Sequence, residues 1–256
     1  MNIVVCVKRV PETADADLSI DQSGRDIDNS GLVFDLNEWD SYALEEAILL
    51  KEKQGGAVTV LSMSGEESNE TLRKCLAMGA DDAIRLTDPV FNGSDGYATA
   101  KVLAAAIQKI PYDLILTGTQ AVDDLDGFVG ALLAERMELP YVGYVTKVEA
   151  ANGKVVARKE YPGGLNADIE VSKPAVLGIQ AAEKPPRYVV TSKVMEAMKS
   201  ATIDESQAPD VSADTGMTVS RMLVPETGAH AEMIEGTVEA VAAALVKVLR
   251  ERDLIA

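Results

Sequence analysis

The feature that most constrains the fold is a set of short apolar runs that recur along the first half of the chain. They cover residues 3–7, 58–61, 83–86 and 114–116, and turn-forming residues flank each of them. Short, continuous apolar runs are typical of strands that are buried on both faces, as in a parallel sheet. The first half of the chain is therefore predicted to contain four buried parallel strands.

Three segments between these runs carry apolar residues at the three-to-four spacing of an amphipathic helix: 38–53, 67–78 and 94–110. Strands that alternate with helices of this length predict an α/β fold. Right-handed crossovers then place the helices on both faces of a mostly parallel sheet. The prediction is a Rossmann-like domain over residues 1–199.

Four β-type runs follow residue 140, at 142–150, 154–161, 166–172 and 175–181. Asn152-Gly153 separates the first two runs and is a strong hairpin signal, and Pro162-Gly163-Gly164 separates the next two. These strands are expected either to extend the sheet or to form a small antiparallel flap.

The remaining chain, 200–256, is predicted to be an arm. Residues 200–225 have the composition of a linker, and a final amphipathic helix is predicted from about 237 to 252. The apolar stripe of this helix consists of Val238, Val241, Ala242, Leu245, Val248 and Leu249. The stripe needs a surface to cover, so the arm either docks back on its own domain or wraps around a partner subunit, and we favour the second.

Charge and cysteine content exclude several classes of function. The formal net charge is −17, which disfavours nucleic acid and anionic lipid as partners. Cys6 and Cys75 lie in apolar surroundings without CxxC spacing, and the single histidine, His230, has no local metal-ligand partner. Without an apolar run long enough to span a bilayer or a secretory signal, the chain is expected to be cytoplasmic, or in the mitochondrial matrix if eukaryotic.

The segment 118–130 is the strongest candidate for a binding loop. It follows the apolar run 114–116, is polar and glycine-punctuated, and leads into a helix. In open parallel sheets, ligands bind where strands end and helix N-termini present free N–H groups to anions, so a nucleotide phosphate is the first candidate. The alternative is an ordinary connection in which Asp124 or Asp126 caps the helix.

Three stretches carry a family resemblance: Val4-Val5-Cys6-Val7-Lys8-Arg9-Val10-Pro11, Leu76-Ala77-Met78-Gly79-Ala80-Asp81 and Gly118-Thr119-Gln120-Ala121-Val122-Asp123-Asp124. With them the chain resembles the β subunit of electron-transfer flavoproteins, in order from residue 2 to about residue 200. The resemblance implies an adenine nucleotide α-hydrolase-like fold and a heterodimer with an α subunit, which the C-terminal arm embraces. It also implies structural AMP in this chain and redox FAD held mainly by the α subunit, with this chain covering one side of the flavin.

The same resemblance nominates the residues of the cofactor site. They are Cys6, Asn37, Trp39, Asp40, Met63, Gly118, Gln120, Ala121, Val122, Asp123, Asp124, Gly127 and Val129. Trp39 falls where the family often has an aromatic residue that approaches the flavin, although it also fits the apolar face of a helix start. In the implied mechanism the chain is part of an electron carrier rather than a stand-alone enzyme.

A second group within this family holds another FAD in place of AMP, oxidises NADH and bifurcates its electrons. That group prefers an arginine at the position of Thr119 and a glycine at that of Asp124. The residues present here favour AMP, because a side chain at Asp124 would crowd a second diphosphate. The bifurcating type remains the first alternative.

The segment 183–199, here called the recognition segment, resembles the loop by which the family docks on partner dehydrogenases. Arg187, Tyr188, Thr191 and Met195 are its expected contact residues, with Thr191 where the family has an anchoring leucine. The implied electron donor is a dehydrogenase such as an acyl-CoA dehydrogenase, and the implied acceptor is a quinone-linked oxidoreductase.

Two unrelated protein classes are alternatives to this family. A universal-stress-type regulatory protein would share the sheet but would lack the recognition segment and the arm. An adenylating enzyme of the ATP-pyrophosphatase type would carry a Ser-Gly-Gly-x-Asp-Ser-like loop after the first strand, where this chain has Lys8-Arg9-Val10-Pro11.

Overall fold

The computed structural model describes residues 1–14, 16–88, 91, 93–151, 154–207, 216–225, 228, 231 and 233–255. Its strands are β1 (Asn2–Cys6), β2 (Arg9–Pro11), β3 (Phe34–Leu36), β4 (Ala57–Met63), β5 (Asp82–Thr87), β6 (Leu114–Gly118), β7 (Tyr141–Ala151), β8 (Lys154–Tyr161), β9 (Leu165–Val171), β10 (Ala175–Ile179) and β11 (Asp204–Gln207). Its helices are α1 (Glu38–Gln54), α2 (Asn69–Met78), α3 (Gly96–Ile107), α4 (Val129–Arg136), α5 (Thr191–Ser200) and α6 (Val238–Glu251).

Nine of the strands form one sheet in the order β11-β5-β4-β1-β6-β10-β7-β8-β9. All pairs from β11 to β7 are parallel, and the pairs β7-β8 and β8-β9 are antiparallel. The predicted mostly parallel α/β sheet is thus confirmed. Both expectations for the later strands are met in part, because β10 inserts in parallel between β6 and β7 while β8 and β9 extend the sheet as antiparallel strands.

Alternate residues of the central strands pack on opposite faces of the sheet. Ile3 and Val5 of β1 belong to a core with α1 and α2, whereas Val4 and Cys6 belong to a core with α3 and α4. This alternation follows from the period of two in a strand. Helices therefore cover both faces, as the crossover argument predicted.

The structure differs from the sequence expectations at three places. The separate antiparallel pair of β2 and β3 was not predicted, and α5 forms within the recognition segment. The stretch with linker composition begins with β11, a strand that pairs in parallel with β5 at the edge of the sheet. Arg85 of β5, which is almost fully buried, donates to Glu205 of β11, so an ion pair holds this polar edge strand in place.

Beyond β11, the arm is hydrogen-bonded to the domain at two further points among the described residues. Oδ2 of Asp95, whose Oδ1 caps the N-terminus of α3, accepts hydrogen bonds from the backbone N–H groups of Gly216 (2.6 Å) and Met217 (2.7 Å). Further along, the N–H of Met222 donates to the carbonyl of Gly24 (2.8 Å). The helix α6 contains no buried residue in the chain as described, although its apolar stripe is present.

Two sequence features, the Asn152-Gly153 turn and His230, lie outside the described residues. Within the described ranges, no helix is both long and apolar enough to cross a membrane. The same part of the chain contains no cluster of histidine, cysteine or carboxylate side chains suited to a metal ion.

Candidate nucleotide site

The buried carboxylate of Asp40 joins the ends of β1 and β6 to the first turn of α1. Its Oδ2 accepts a hydrogen bond from the N–H of Lys8 (2.8 Å), and its Oδ1 accepts one from the N–H of Gly118 (3.0 Å). Asp40 is only 6% exposed, so these bonds are shielded from water. One side chain on α1 therefore connects the carboxyl ends of two neighbouring strands, β1 and β6.

Asn37, the residue before α1, holds the binding loop. Its Nδ2 donates to the carbonyl of Gln120 (2.9 Å), and its Oδ1 accepts from the N–H of Val122 (3.2 Å). The side chain is 1% exposed, and both of its polar atoms are used. The resemblance nominated Asn37, Asp40, Gln120 and Val122 separately, and the structure connects them.

Gly118 lies so close to α1 that no other residue fits. A Cβ atom there would lie 2.3 Å from Oδ1 of Asp40, 2.9 Å from Cβ of Trp39 and 3.1 Å from the backbone nitrogen of Asp40. Distances under 3.0 Å between such atoms are not tolerated without a shift of the backbone. This close approach places half-buried Trp39 beside the start of the loop.

The loop after β6 leaves the N-terminus of α4 without a side-chain cap. Phe128 is the N-cap residue, and no side chain in the described structure accepts a hydrogen bond from the first turn of α4. The alternative in which Asp124 or Asp126 caps this helix is therefore wrong: Oδ1 of Asp124 instead accepts from the N–H of Asp126 (3.0 Å) within the loop. Gly127 supplies a left-handed turn, with φ of 66°, immediately before the helix.

A buried hydroxyl lies beneath the first turn of α4. Oγ1 of Thr117 has no hydrogen-bond partner in the part of the chain that the structure describes. It lies 2.7 Å from the position that a Cβ at Gly130 would occupy. The uncapped N–H groups of α4 are donors that suit the phosphate of a nucleotide, whereas the Thr117 hydroxyl is closed off from solvent.

Lys8 contacts the candidate site, although the nominated set did not include it. Its ammonium donates to carboxylate oxygens of Asp123 (2.8 Å) and Asp124 (2.8 Å), so it offsets the acidic pair in the loop. Burial lowers the pKa of Lys8, but the two hydrogen bonds outweigh burial and the pKa lies above its ordinary value. The available signal was its position directly after the first apolar run, two residues beyond nominated Cys6.

The remaining nominated residues line the α3 and α4 side of the same edge. Cys6 at the end of β1 belongs to the core with α3 and α4, and Met63 at the end of β4 and Val129 at the start of α4 pack against that core. Ala121 lies in the loop, between Gln120 and Val122, and its carbonyl accepts from the N–H of Leu125 (2.8 Å). All thirteen nominated cofactor residues thus lie on β1, β4, the start of α1 or the β6–α4 connection.

Neither cysteine is expected to react in the folded protein. Burial, with a smaller contribution from Asp40, raises the pKa of Cys6 to about 12, and burial likewise raises the pKa of Cys75 to about 12. Only the thiolate is nucleophilic. We expect Ellman's reagent to label neither thiol at pH 8 in the native chain and both after denaturation in guanidinium; rapid labelling of the native chain would contradict this.

The carboxyl group of Asp40 is expected to make stability depend on pH. Burial raises its pKa from 3.8 to about 7, although hydrogen bonds from Lys8, Asn37 and Gly118 oppose the shift. Between these pH values the folded state holds a proton that the unfolded state has lost, so the free energy of unfolding falls as pH rises through this window, by at most ~4 kcal/mol. Urea unfolding measures this free energy at pH 5 and at pH 8, and it should fall less between the two in Asp40→Asn than in the parent chain. An equal fall in both proteins would contradict the role of Asp40.

The recognition segment is fastened to α1. Arg187 donates to Glu45 through its backbone N–H and its guanidinium, and to Glu52 through Nη1. These hydrogen bonds, that to Glu45 above all, raise the pKa of Arg187 further. Of the other residues expected to contact a partner, Tyr188, Thr191 and Met195 are exposed, with Thr191 starting α5.

Comparison with known proteins agrees with this architecture. A family model described as electron transfer flavoprotein domain matches residues 26–211. The chain is 36% identical over 263 residues to electron transfer flavoprotein subunit beta of Methylophilus methylotrophus, covering 98% of both chains. It is also 36% identical to the subunit of that name from Thermoanaerobacterium thermosaccharolyticum and 35% identical to caffeyl-CoA reductase-Etf complex subunit CarD of Acetobacterium woodii, covering 100% of each pair.

These similarities extend over the nucleotide site, the recognition segment and the arm. The universal-stress and ATP-pyrophosphatase alternatives are thereby set aside. Membership as a beta subunit implies an alpha-subunit partner and a role in electron transfer. The chain belongs to the electron transfer flavoprotein family.

Proposed function

We propose that this chain binds AMP as a structural ligand and forms one wall of the pocket for an FAD held mainly by the alpha subunit. Electrons would pass from a dehydrogenase to that flavin and then to a quinone-linked acceptor. Bound FAD supplies the redox chemistry, and this chain supplies binding and orientation. The relatives named above are bacterial, which supports a cytoplasmic location over the mitochondrial matrix.

The observation that carries the proposal is the donor set at the N-terminus of α4. The uncapped helix start offers free backbone N–H groups, and the ammonium of Lys8 is bound to Asp123 and Asp124 in the loop that leads into that helix. Together they suit one phosphate group, since a helix N-terminus favours anions through its free N–H groups and its dipole. The carboxylates of Asp123 and Asp124 would then face ribose hydroxyls rather than phosphate oxygens.

The choice of AMP over a second FAD rests on Asp124. Its two carboxylate oxygens are held by Lys8 and by the N–H of Asp126, so the side chain has a fixed place above the loop. A diphosphate would need that volume, and displacing the side chain would break both hydrogen bonds. A monophosphate is smaller and would leave the Asp124 side chain in place.

The test is to co-express this chain with its alpha subunit, denature the purified heterodimer and quantify the released nucleotides. One FAD and one AMP per heterodimer would support the proposal. Two FAD and no AMP would overturn the AMP assignment and establish the bifurcating alternative, with NADH oxidation as its activity. Failure to form a heterodimer with the alpha subunit would contradict the carrier function altogether.

Asp124→Gly provides a matched variant for this test. If the Asp124 side chain excludes a second diphosphate, the glycine variant should release more FAD and less AMP than the parent heterodimer. Asp126→Gly is the control, because Asp126 lies in the same loop. In the described structure its contact with Asp124 is made by its backbone N–H, which glycine keeps. Equal nucleotide content in all three proteins would mean that the Asp124 side chain does not select AMP over a second FAD.

A further inference from the structure

We propose that Glu45 of α1 is a positioning residue for electron transfer: it holds Arg187 so that Tyr188 and Met195 are presented to the donor dehydrogenase. The inference rests on the proposed docking function of the recognition segment and adds the means by which that segment is held. It assigns Arg187 an internal role in place of a partner contact.

Glu45 binds Arg187 at three atoms. Its Oε2 accepts from the backbone N–H (3.0 Å) and from Nε (2.9 Å) of Arg187, and its Oε1 accepts from Nη2 (2.9 Å). Glu45 is 3% exposed, so the pair is largely shielded from solvent. A planar guanidinium that meets a carboxylate at two oxygens fixes both orientation and distance.

A second carboxylate on the same helix holds the start of the segment. Oε2 of Glu46 accepts from the N–H of Glu183 (3.1 Å), while its Oε1 accepts from the N–H of Val148 on β7 (2.7 Å). Lys53, the penultimate residue of α1, donates to the carboxylate of Glu183 (2.7 Å). The recognition segment is therefore bound to α1 at residues 183 and 187, on both sides of its two prolines.

The residues directly after Arg187 are the ones left for a partner. Tyr188 is 86% exposed, and Val190 and Met195 are about half exposed, while α5 packs against α2. All three guanidinium nitrogens of Arg187 already donate to Glu45 or Glu52. An exposed tyrosine beside apolar side chains, set next to a rigidly held backbone, is the arrangement of an interface anchor.

The charges around this patch indicate the chemistry of the partner. Lys184, Lys193 and Lys199 are exposed together with one carboxylate, Glu196, whereas Arg187 and Glu183 are neutralised by α1. The patch is thus mildly basic on a strongly acidic chain, and a dehydrogenase that fits it would offer an apolar pocket with an acidic rim.

Glu45→Gln in the intact heterodimer tests the clamp directly. Gln keeps the shape of the side chain but loses the charge, so the segment should open more often and trypsin should cleave faster at the Arg187-Tyr188 bond; the Lys184-Pro185 bond resists trypsin in every variant. Glu170→Gln is the control, because Glu170 forms an exposed ion pair with Lys154 on the β8-β9 hairpin. Equal cleavage rates in Glu45→Gln and the parent would overturn the proposal.

The functional readout uses a purified acyl-CoA dehydrogenase, reduced by its substrate, as electron donor. Glu45→Gln should raise the KM for the dehydrogenase by roughly tenfold, the cost of ordering one or two side chains on docking, with kcat and FAD content unchanged. Arg187→Met and the double variant should give no more than the effect of Glu45→Gln, since both groups act as one unit. A fall in kcat with unchanged KM would contradict a positioning role.

Tyr188→Ala and Met195→Ala separate this inference from the proposed function. If both raise the KM while Glu45→Gln does not, the segment docks the donor without the clamp, and the inference fails alone. If neither changes the KM, this segment does not dock the donor, and both the docking function and the inference built on it are overturned.

Discussion

Gly118→Ala is expected to destabilise the folded chain by about 3 kcal/mol and to abolish nucleotide binding at the β6–α4 loop. The added methyl group would meet Oδ1 of Asp40 at 2.3 Å and Cβ of Trp39 at 2.9 Å. Oδ1 of Asp40 cannot swing away without breaking the hydrogen bonds from Lys8 and Gly118, and Cβ of Trp39 is fixed to the backbone of α1. The variant must therefore separate β6 from α1.

Urea unfolding would give the change in stability, and calorimetry with AMP would give the change in binding. Gly228→Ala is the control: a Cβ at Gly228 would have no atom within 4 Å, and its backbone is not left-handed. It should match the parent in both measurements. A Gly118→Ala chain with unchanged midpoint and affinity would refute the close approach of β6 to α1.

Placing aspartates on the apolar stripe of α6, as Leu245→Asp with Leu249→Asp, is expected to weaken association with the alpha subunit at least roughly a hundredfold. Both side chains are exposed in this chain, and α6 contains no buried residue within the described structure. If the arm embraces the alpha subunit, this apolar area is covered in the heterodimer. Two aspartates there would remove the stabilisation that comes from burying it.

The melting temperature of the isolated chain should not change in this variant, since α6 contains no buried residue within the part of the chain that the structure describes. Ala243→Asp introduces the same charge on the opposite side of the helix and should associate normally. Light scattering or ultracentrifugation of the mixed subunits measures the effect. Unimpaired assembly of the double variant would mean that α6 covers a different surface.

The first half of the fold was predictable because local sequence patterns indicate its strands and helices. Buried parallel strands read as continuous apolar runs, and α1, α2 and α3 have the expected helical spacing. By contrast, β11 was not predictable: its residues Asp204, Glu205 and Ser206 are polar, and what makes them a strand is pairing with β5 and the ion pair with Arg85, more than a hundred residues earlier.

The candidate site was predictable only in part. The family resemblance nominated residues of the loop and of α1, yet it did not indicate that Asn37 and Asp40 bind the loop backbone. Lys8 and its partners Asp123 and Asp124 are separated by 115 and 116 residues, and Arg187 and Glu45 by 142. Contacts at such separations follow from the order of strands in the sheet, which local patterns do not encode.

The uncovered stripe of α6 has a consequence for the cell that makes this protein. A chain without its partner displays a row of valines and leucines to solvent, and such surfaces attract chaperones, proteases and other exposed chains. Synthesis of the two subunits in unequal amounts would therefore waste the surplus. Balanced production, as from adjacent genes on one transcript, is the arrangement under which this helix costs the cell least.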